Sequence, residues 1–396
     1  MTKMKLGRYH YLECIGCSTR FKPTQIYTCP KCGDLLQIGY NYQSIRRGFV
    51  SSIRKPGPIS VWRYKNILPS SSRNAVSLGE GGTGLSPSVR LKDRFGLEEV
   101  YFKNEGQNPT GSFKDRGMTV AITRAVEVDA TTVVCASTGN TSASMAAYAA
   151  RAGLKAVVLI PLGKITKGKL LQAVVHGARI NQVSGNFDAA LRRARDLAQS
   201  GKLYLVNSLN PYRIEGQKTL AFEIWEQLHH TVPNAVIVPV GNAGNISAIW
   251  KGFWELRKLR LTERMPRMIG IQASGAAPIA TAYARGRSRV IPWKHPETSA
   301  SAIRIGAPAS WKKALRAVKD SGGAMLTVSD GEISRAQRLL ANHEGIFAEP
   351  ASAASVAGLA KASRLRLVEP RERLVCVITG HGLKDQQAIT ISLRTG

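Results

Sequence analysis

The chain is 396 residues long, 43 % apolar and 21 % charged, the profile of a soluble globular protein with room for two domains. Its longest apolar runs, such as KAVVLIPLG and NAVIVPVGN, are too short to cross a bilayer. The stretch MTKMKLGRYHYLEC carries no apolar signal core, so a cytoplasmic location is expected. The formal net charge of +30 does not by itself mean nucleic acid. Residues 1–60 do hold ten Lys and Arg against Glu13 and Asp34 alone, but elsewhere the cations are dispersed. No basic strand is interleaved with aromatics for base stacking. The footprint argues against nucleic acid as the main partner and suits anionic small molecules equally well.

In chain order the first signal is Cys14-x2-Cys17, then eleven residues, then Cys29-x2-Cys32. Each CxxC brings two sulfurs from one tight turn to one ion, and tetrahedral zinc takes four thiolates. Gly16 and Gly33 stand where such a turn needs a permissive backbone. The alternative, a pair of disulfides, is disfavoured inside a cell. A small zinc-ribbon-like module over residues 1–40 is expected, its zinc structural rather than catalytic. Cys135 and Cys376 lie within apolar runs and read as core residues.

From about residue 60 onward, β-branched runs alternate with amphipathic segments. Strands are predicted at 99–103, 132–136, 156–160, 179–183, 203–206, 235–240, 267–273 and 374–379. Helices are predicted at 115–127, 141–152, 186–200, 213–230, 245–260 and 351–363. This alternation predicts an α/β fold with mainly parallel sheets.

Three strand ends run into small polar loops: Ser137-Thr138-Gly139-Asn140-Thr141, Gly241-Asn242-Ala243-Gly244-Asn245 and Thr379-Gly380-His381-Gly382. In parallel sheets ligands bind beyond the carboxyl ends of strands, so these loops are candidates to share a cleft. The second loop precedes a helix whose free N–H groups and dipole suit a compact phosphate. It lacks the GxGxxG spacing of a dinucleotide site. GKITKGKL at 163–170 nearly matches an ATP-binding P-loop, but Leu170 stands where a hydroxyl must reach magnesium, which argues against ATP hydrolysis.

The stretch NEGQNPTGSFKDRGM, 104–118, places Lys114 beside Phe113 just after a turn. A surface lysine does not require that setting, whereas one held still and partly desolvated gains a lowered pKa and a reactive amine. A lysine amine, a phosphate cradle, the side-chain amide of Asn140 and the hydroxyl of Thr379 together meet the requirements of pyridoxal 5′-phosphate: a Schiff-base partner, N–H donors, a donor to the phenolic oxygen and a neutral group at the ring nitrogen.

At this point the sequence resembles the threonine synthases of the fold-type II pyridoxal-phosphate enzymes, over about residues 58–394. The resemblance is carried by SLGEGGTGL (77–85), NPTGSFKDRG (108–117), ASTGNTSAS (136–144), PVGNAGN (239–245), AIRIGAPASW (302–311), EGIFAEPASAAS (344–355) and ITGHGLKD (378–385). Gly84 departs from it, standing where the family commonly has proline. The resemblance implies a tryptophan-synthase-β-like fold with the cofactor in an interdomain cleft. Residues 41–99 and 207–396 would form the large domain and 100–206 a small mobile one, in a homodimer. It implies that Lys114 is the Schiff-base lysine and Asn140 the O3′ partner. Gly241, Asn242, Ala243, Gly244 and Asn245 would hold the cofactor phosphate, and Thr379 would face the ring nitrogen. Ser137, Thr138 and Thr141 would take the substrate carboxylate, and Asn207, Ser208 and Arg213 the phosphate of a small phosphorylated amino acid.

The implied reaction converts O-phospho-L-homoserine and water to L-threonine and phosphate by γ-elimination and addition of water at Cβ, with Lys114 moving the protons. Two rivals stand beside it. A related lyase, a serine/threonine dehydratase or a cysteate synthase, would share the cofactor residues, and a dehydratase would have no use for the 207–213 phosphate site. A zinc-ribbon nucleic-acid-binding protein with an enzyme-like body would bind with steep salt dependence and be indifferent to loss of Lys114. His381 lies close enough in sequence to Thr379 to tempt a catalytic assignment, but a polar supporting role serves equally well.

Overall fold

In a computed structural model, which describes residues 10–162, 167–185, 187–199, 201 and 203–385, the chain forms three sheets. The cysteine module supplies β1 (His10–Cys14), β2 (Arg20–Phe21) and β3 (Leu36–Tyr40), an antiparallel sheet in the order β2-β1-β3. Every second residue of HYLEC and LQIGY is buried, the pattern of strands with one covered face.

The remaining strands are β4 (Leu85–Pro87), β5 (Glu99–Asn104), β6 (Thr132–Ala136), β7 (Lys155–Pro161), β8 (Arg179–Val183), β9 (Tyr204–Leu205), β10 (Ala235–Pro239), β11 (Arg267–Ala273), β12 (Ala324–Val328) and β13 (Arg373–Ile378). The helices are α1 (Tyr42–Arg54), α2 (Leu91–Arg94), α3 (Lys114–Glu127), α4 (Asn140–Arg151), α5 (Lys167–Val175), α6 (Phe187–Gln199), α7 (Pro211–Gln217), α8 (Thr219–Gln227), α9 (Gly244–Lys258), α10 (Pro278–Ala284), α11 (Trp311–Asp320), α12 (Asp330–Glu344) and α13 (Pro350–Arg364).

The chain divides into two compact units. One comprises 1–82 and 114–219, the other 83–113 and 220–396. The first unit holds the cysteine module and a wholly parallel sheet in the order β8-β7-β6-β9. TVVCA of β6 is apolar along almost its whole length because a central parallel strand is covered on both faces. Its core includes Met118, Ile122, Val133, Cys135, Met145 and Tyr148. The second unit carries the order β12-β11-β10-β13-β5-β4, parallel except for the β4–β5 pair. Phe102, Ile237, Ile271, Ala354, Leu374 and Cys376 belong to its core. Both cysteines expected in the cores are there, fully buried.

All eight predicted strands are present with small shifts at their ends. The expected helix 213–230 is two helices, α7 and α8, meeting at Lys218. The Thr219 hydroxyl donates to the carbonyl of Gly216 at 2.7 Å, offering that carbonyl a partner outside the helical ladder. Helices α3 and α7 approach to backbone contact. A Cβ on Gly216 would lie 1.7 Å from the Arg116 carbonyl oxygen, and one on Gly117 2.7 Å from that of Arg213. Only glycine fits there, so the helix beginning at Lys114 and the helix carrying Arg213 are held together without intervening side chains.

Strand β12 and helices α11 and α12 had no counterpart among the predictions, although α12 begins with a Ser329–Glu332 capping box and ends on Gly345 at φ 66°. Among the described residues no helix is long and apolar enough to cross a membrane.

Candidate active site

In the second unit β13 lies between β10 and β5, all three parallel, so the loops at their carboxyl ends share one edge of the sheet. The loop after β10 is 241–245. Ala243 adopts a left-handed conformation at φ 64° and is the N-cap of α9, yet offers that helix no side-chain acceptor. The first-turn N–H groups are left for something else. Asn242 ties the loop down: its carbonyl accepts the N–H of Ser310 at 3.1 Å and its Oδ1 that of Ala309 at 3.3 Å. A Cβ on Gly241 would be 3.1 Å from the Ala302 carbonyl oxygen, so the loop sits tightly on residues 302–303. Asn245 is buried with neither Oδ1 nor Nδ2 partnered among the described residues. An uncapped helix end beside an unpartnered buried amide is the donor set a cofactor phosphate requires, so these residues fit pyridoxal phosphate.

Thr379 follows β13 and is 4 % exposed. Its hydroxyl lies 2.9 Å from the Ser352 hydroxyl, and Ser352 also accepts the N–H of Gly380 at 2.7 Å. The carbonyl of Thr379 accepts the N–H of Phe113 at 3.1 Å, and His381 N–H donates to Gly111 at 2.9 Å. The loop after β5 is therefore strapped to the loop after β13 immediately before Lys114. Further back, Thr83 donates to Glu105 Oε1 at 2.7 Å and Asn108 Nδ2 to Glu105 Oε2 at 3.0 Å, which fixes the Asn-Pro-Thr-Gly turn from within. The Gly84 N–H donates to Gln107 Oε1 at 2.6 Å, a bond that proline could not make.

The first unit brings together the other candidates. Lys114 is half-buried at the first position of α3, and Asp115 beside it is fully buried and accepts from Ser144 at 2.6 Å. Because β6 and β9 are parallel neighbours, 137–141 and 207–213 also share one edge. Ser137, Thr138, Asn140 and Thr141 are half-buried around the start of α4, whose N-cap Gly139 has no side-chain acceptor to give. Asn207 closes two bonds on Ala136, accepting its N–H and donating to its carbonyl, both at 2.9 Å. Its amide thus stitches the two loops together. Ser208 is half-buried beside it.

Arg213 is 3 % exposed. Its Nη1 donates to the carbonyl of Val206 at 3.1 Å, its Nε has no partner, and no carboxylate among the described residues pairs with it. Burial pushes its guanidinium down to about 10, so at neutral pH it remains a cation without a counter-ion.

The four module cysteines also converge. Their sulfurs lie within 4.8 Å of one another, with Cys14–Cys32 at 3.4 Å and Cys17–Cys29 at 3.6 Å. A tetrahedral ion with metal–sulfur bonds of about 2.3 Å asks for sulfur–sulfur edges of about 3.8 Å, so the cluster could hold one metal ion. The N–H groups of Gly16 and Cys17 already point at Cys14 Sγ, as in a metal knuckle.

His381 Nδ1 accepts the N–H of Leu383 at 3.2 Å, a turn-capping use. In the P-loop-like stretch, 163–166 lie outside the described residues, and Leu170 is a core side chain. The sequence reading passed over Ser352, Glu105 and Glu80. Glu80, fully buried, accepts from Ser77, the Leu78 N–H and, at 2.6 Å, the Tyr148 hydroxyl, which holds the 77–82 turn. Acidic residues inside otherwise small, glycine-rich motifs were the available signal for Glu80 and Glu105. Ser352 had none, because its partner is distant in sequence.

Residues 76–380 match the family model described as pyridoxal-phosphate dependent enzyme. The sequence is 53 % identical to the threonine synthase of Methanocaldococcus jannaschii over 378 residues, 95 % of this chain and 93 % of that one. It is 50 % identical to the threonine synthase of Methanosarcina acetivorans over 381 residues, 96 % and 93 % of the two chains. Threonine deaminase isoform 2 from Solanum lycopersicum shares the fold, with a TM-score of 0.67 at 21 % identity over 90 % of this chain and 89 % of that one. The chain belongs to the pyridoxal-phosphate-dependent enzymes of fold-type II and, within them, to the threonine synthases.

Proposed function

We infer that this chain converts O-phospho-L-homoserine and water to L-threonine and phosphate. The observation that carries the reading is Arg213, a buried cation without a counter-ion among the described residues, on the same sheet edge as the uncapped N-terminus of α4. A substrate bearing both a phosphate and a carboxylate meets both needs. A guanidinium fork suits a phosphate better than an ammonium does.

In this reading Lys114, Asn140, Gly241, Asn242, Ala243, Gly244, Asn245 and Thr379 would hold pyridoxal phosphate. The bound cofactor supplies an electron sink for the carbanions formed at Cα and Cβ of the substrate. Lys114 would hold the cofactor through its amine, and the same amine would take the Cα proton, help move the Cβ proton and return a proton when water has added. Asn140 would donate to the phenolic oxygen. Thr379, its hydroxyl beside that of Ser352, would offer the ring nitrogen a neutral partner rather than a carboxylate. Ser137, Thr138 and Thr141 receive the substrate carboxylate at the start of α4. Arg213 and Ser208 receive its phosphate and hold it as a leaving group, while Asn207 fixes the two loops to each other through Ala136.

The four cysteines hold structural zinc in this reading, because a closed four-thiolate set leaves no position for a reacting ligand. A cytoplasmic homodimer completes it, for which sedimentation of the purified protein and cell fractionation are the checks.

The test is an assay of the purified protein with pyridoxal phosphate and O-phospho-L-homoserine, following phosphate and threonine together. Equal yields are expected. Phosphate with 2-oxobutyrate would mean elimination without the water step, and no product would refute the assignment.

A further inference from the structure

The cysteine module grips the stretch 203–218 at both ends. Between the two knuckles, Gln25 Nε2 donates to the carbonyl of Leu203 at 3.2 Å, and the Tyr27 hydroxyl accepts the N–H of Leu205 at 2.9 Å. The Tyr27 ring meets Tyr204 edge-on, with centroids 6.1 Å apart. At the other end Tyr40, the last residue of β3, donates to Glu215 Oε2 at 2.6 Å. Lys218 donates to the same oxygen at 2.6 Å and to the carbonyl of Ile67 at 2.9 Å. Its ammonium stands 4.3 Å from the centre of the Tyr40 ring. The side chains of Glu215 and Lys218 are fully buried, so this hydroxyl completes an ion pair shut away from water. Asn207, Ser208 and Arg213 lie between the two grips.

We propose that the metal-filled cysteine module is a clamp that sets the position of Arg213 and thereby the affinity for the substrate's phosphate. The inference rests on the reading of Arg213 as the phosphate contact. Among the described residues Arg213 has a single protein acceptor, on Val206, so the direction of its guanidinium follows from where the backbone of α7 lies. That backbone is fixed on one side by the contact of Gly216 with Arg116 and on another by Glu215 held to Tyr40. Both Tyr27 and Tyr40 are placed by the cysteines. Tyr27 lies two residues before Cys29, and β3 is registered on β1 with Leu36 opposite Cys14. Four thiolates this close would be held together by a dication, and the binding energy of a structural metal is folding energy for its module. Removing the ion loosens both grips at once.

The experiment uses the full-length holoenzyme, with inorganic phosphate as the probe. Its affinity is measured by calorimetry and by competition in the assay for wild type, Tyr27→Phe, Tyr40→Phe and Arg213→Lys, and for wild type after chelation with metal content determined. We expect Tyr40→Phe, Tyr27→Phe and metal removal each to weaken phosphate binding about tenfold and to raise KM in step. kcat and the bound cofactor's absorbance should stay nearly as in wild type. Unchanged phosphate affinity in both tyrosine variants, while Arg213→Lys abolishes it, would overturn the clamp and leave Arg213 in its role. Unchanged affinity in Arg213→Lys would remove the phosphate reading and the clamp together. If chelation unfolds the protein, the tyrosine variants decide.

Discussion

The N–H of Phe113 donates to the carbonyl of Thr379 across 3.1 Å, so the residue before Lys114 is bound to the residue proposed to face the cofactor ring. Side-chain chemistry has no part in that bond. It depends on β5 and β13 being parallel neighbours, with Asn104 opposite Ile378 at the ends of their ladder. Beyond that ladder the chain turns back, and Ser112 and Gly380 form a separate antiparallel bridge.

Replacing that lysine separates chemistry from architecture. Lys114→Ala should lower turnover by at least about a thousandfold while the thermal transition stays near that of wild type, because the proposed mechanism asks one amine to serve as both cofactor partner and base. Borohydride reduction should no longer fix the cofactor to the chain. Turnover at the wild-type level would sink the mechanism.

Ser352→Ala removes the acceptor of the Gly380 N–H and the neighbour of the Thr379 hydroxyl. Leaving those buried groups unsatisfied should cost about 1–3 kcal/mol in urea unfolding. Cofactor titration should show weaker binding as the 379–380 loop loses its anchor. If stability falls and cofactor affinity does not, Ser352 serves the fold alone.

Gly216→Ala places a methyl group 1.7 Å from the carbonyl oxygen of Arg116, a backbone atom that cannot rotate away. The helices must separate, at about 3 kcal/mol or more. Gly57→Ala, where the nearest atom to the new Cβ is the end of the Arg63 side chain at 3.6 Å, should change stability by less than about 0.5 kcal/mol. Equal effects in the two variants would contradict the close packing of α3 on α7.

Acid stability should depend on Glu344. Burial alone would raise its carboxyl, but the N–H groups of Val89 and Leu91, the Ser88 hydroxyl and the Arg90 N–H outweigh that and hold it below the usual carboxylate value. A group whose folded pKa is depressed adds stability that is complete above its unfolded pKa and is lost as pH falls through the folded one. Glu344→Gln should therefore lower the melting temperature at neutral pH and much less in strong acid, flattening the acid limb of the curve. Parallel curves for the two proteins would refute the assignment.

Much of this protein was legible because its chemistry is local. The four-cysteine spacing, the Asn-Pro-Thr-Gly-Ser-Phe-Lys run and the strand–loop–helix pattern around Gly241–Asn245 each lie within one short stretch of chain, and apolar runs such as TVVCA and AVIVP announce strands covered on both faces. Strand β12 was missed although it is as long as β8: the burial of AMLTV follows neither an alternating nor a continuous pattern. The single helix expected over 213–230 failed at a side-chain hydroxyl that periodicity cannot see.

What the sequence determined by itself is therefore the set of reactive groups and the α/β class. Which of those groups share an edge was decided by strand order, since β9 beside β6 and β13 between β10 and β5 are pairings between segments far apart in the chain. Tertiary structure also decided that Asn207 binds Ala136 and that Arg213 lies buried without a counter-ion among the described residues. Hydrogen bonding and desolvation depend on what surrounds a side chain, and those surroundings exist only once the chain has folded.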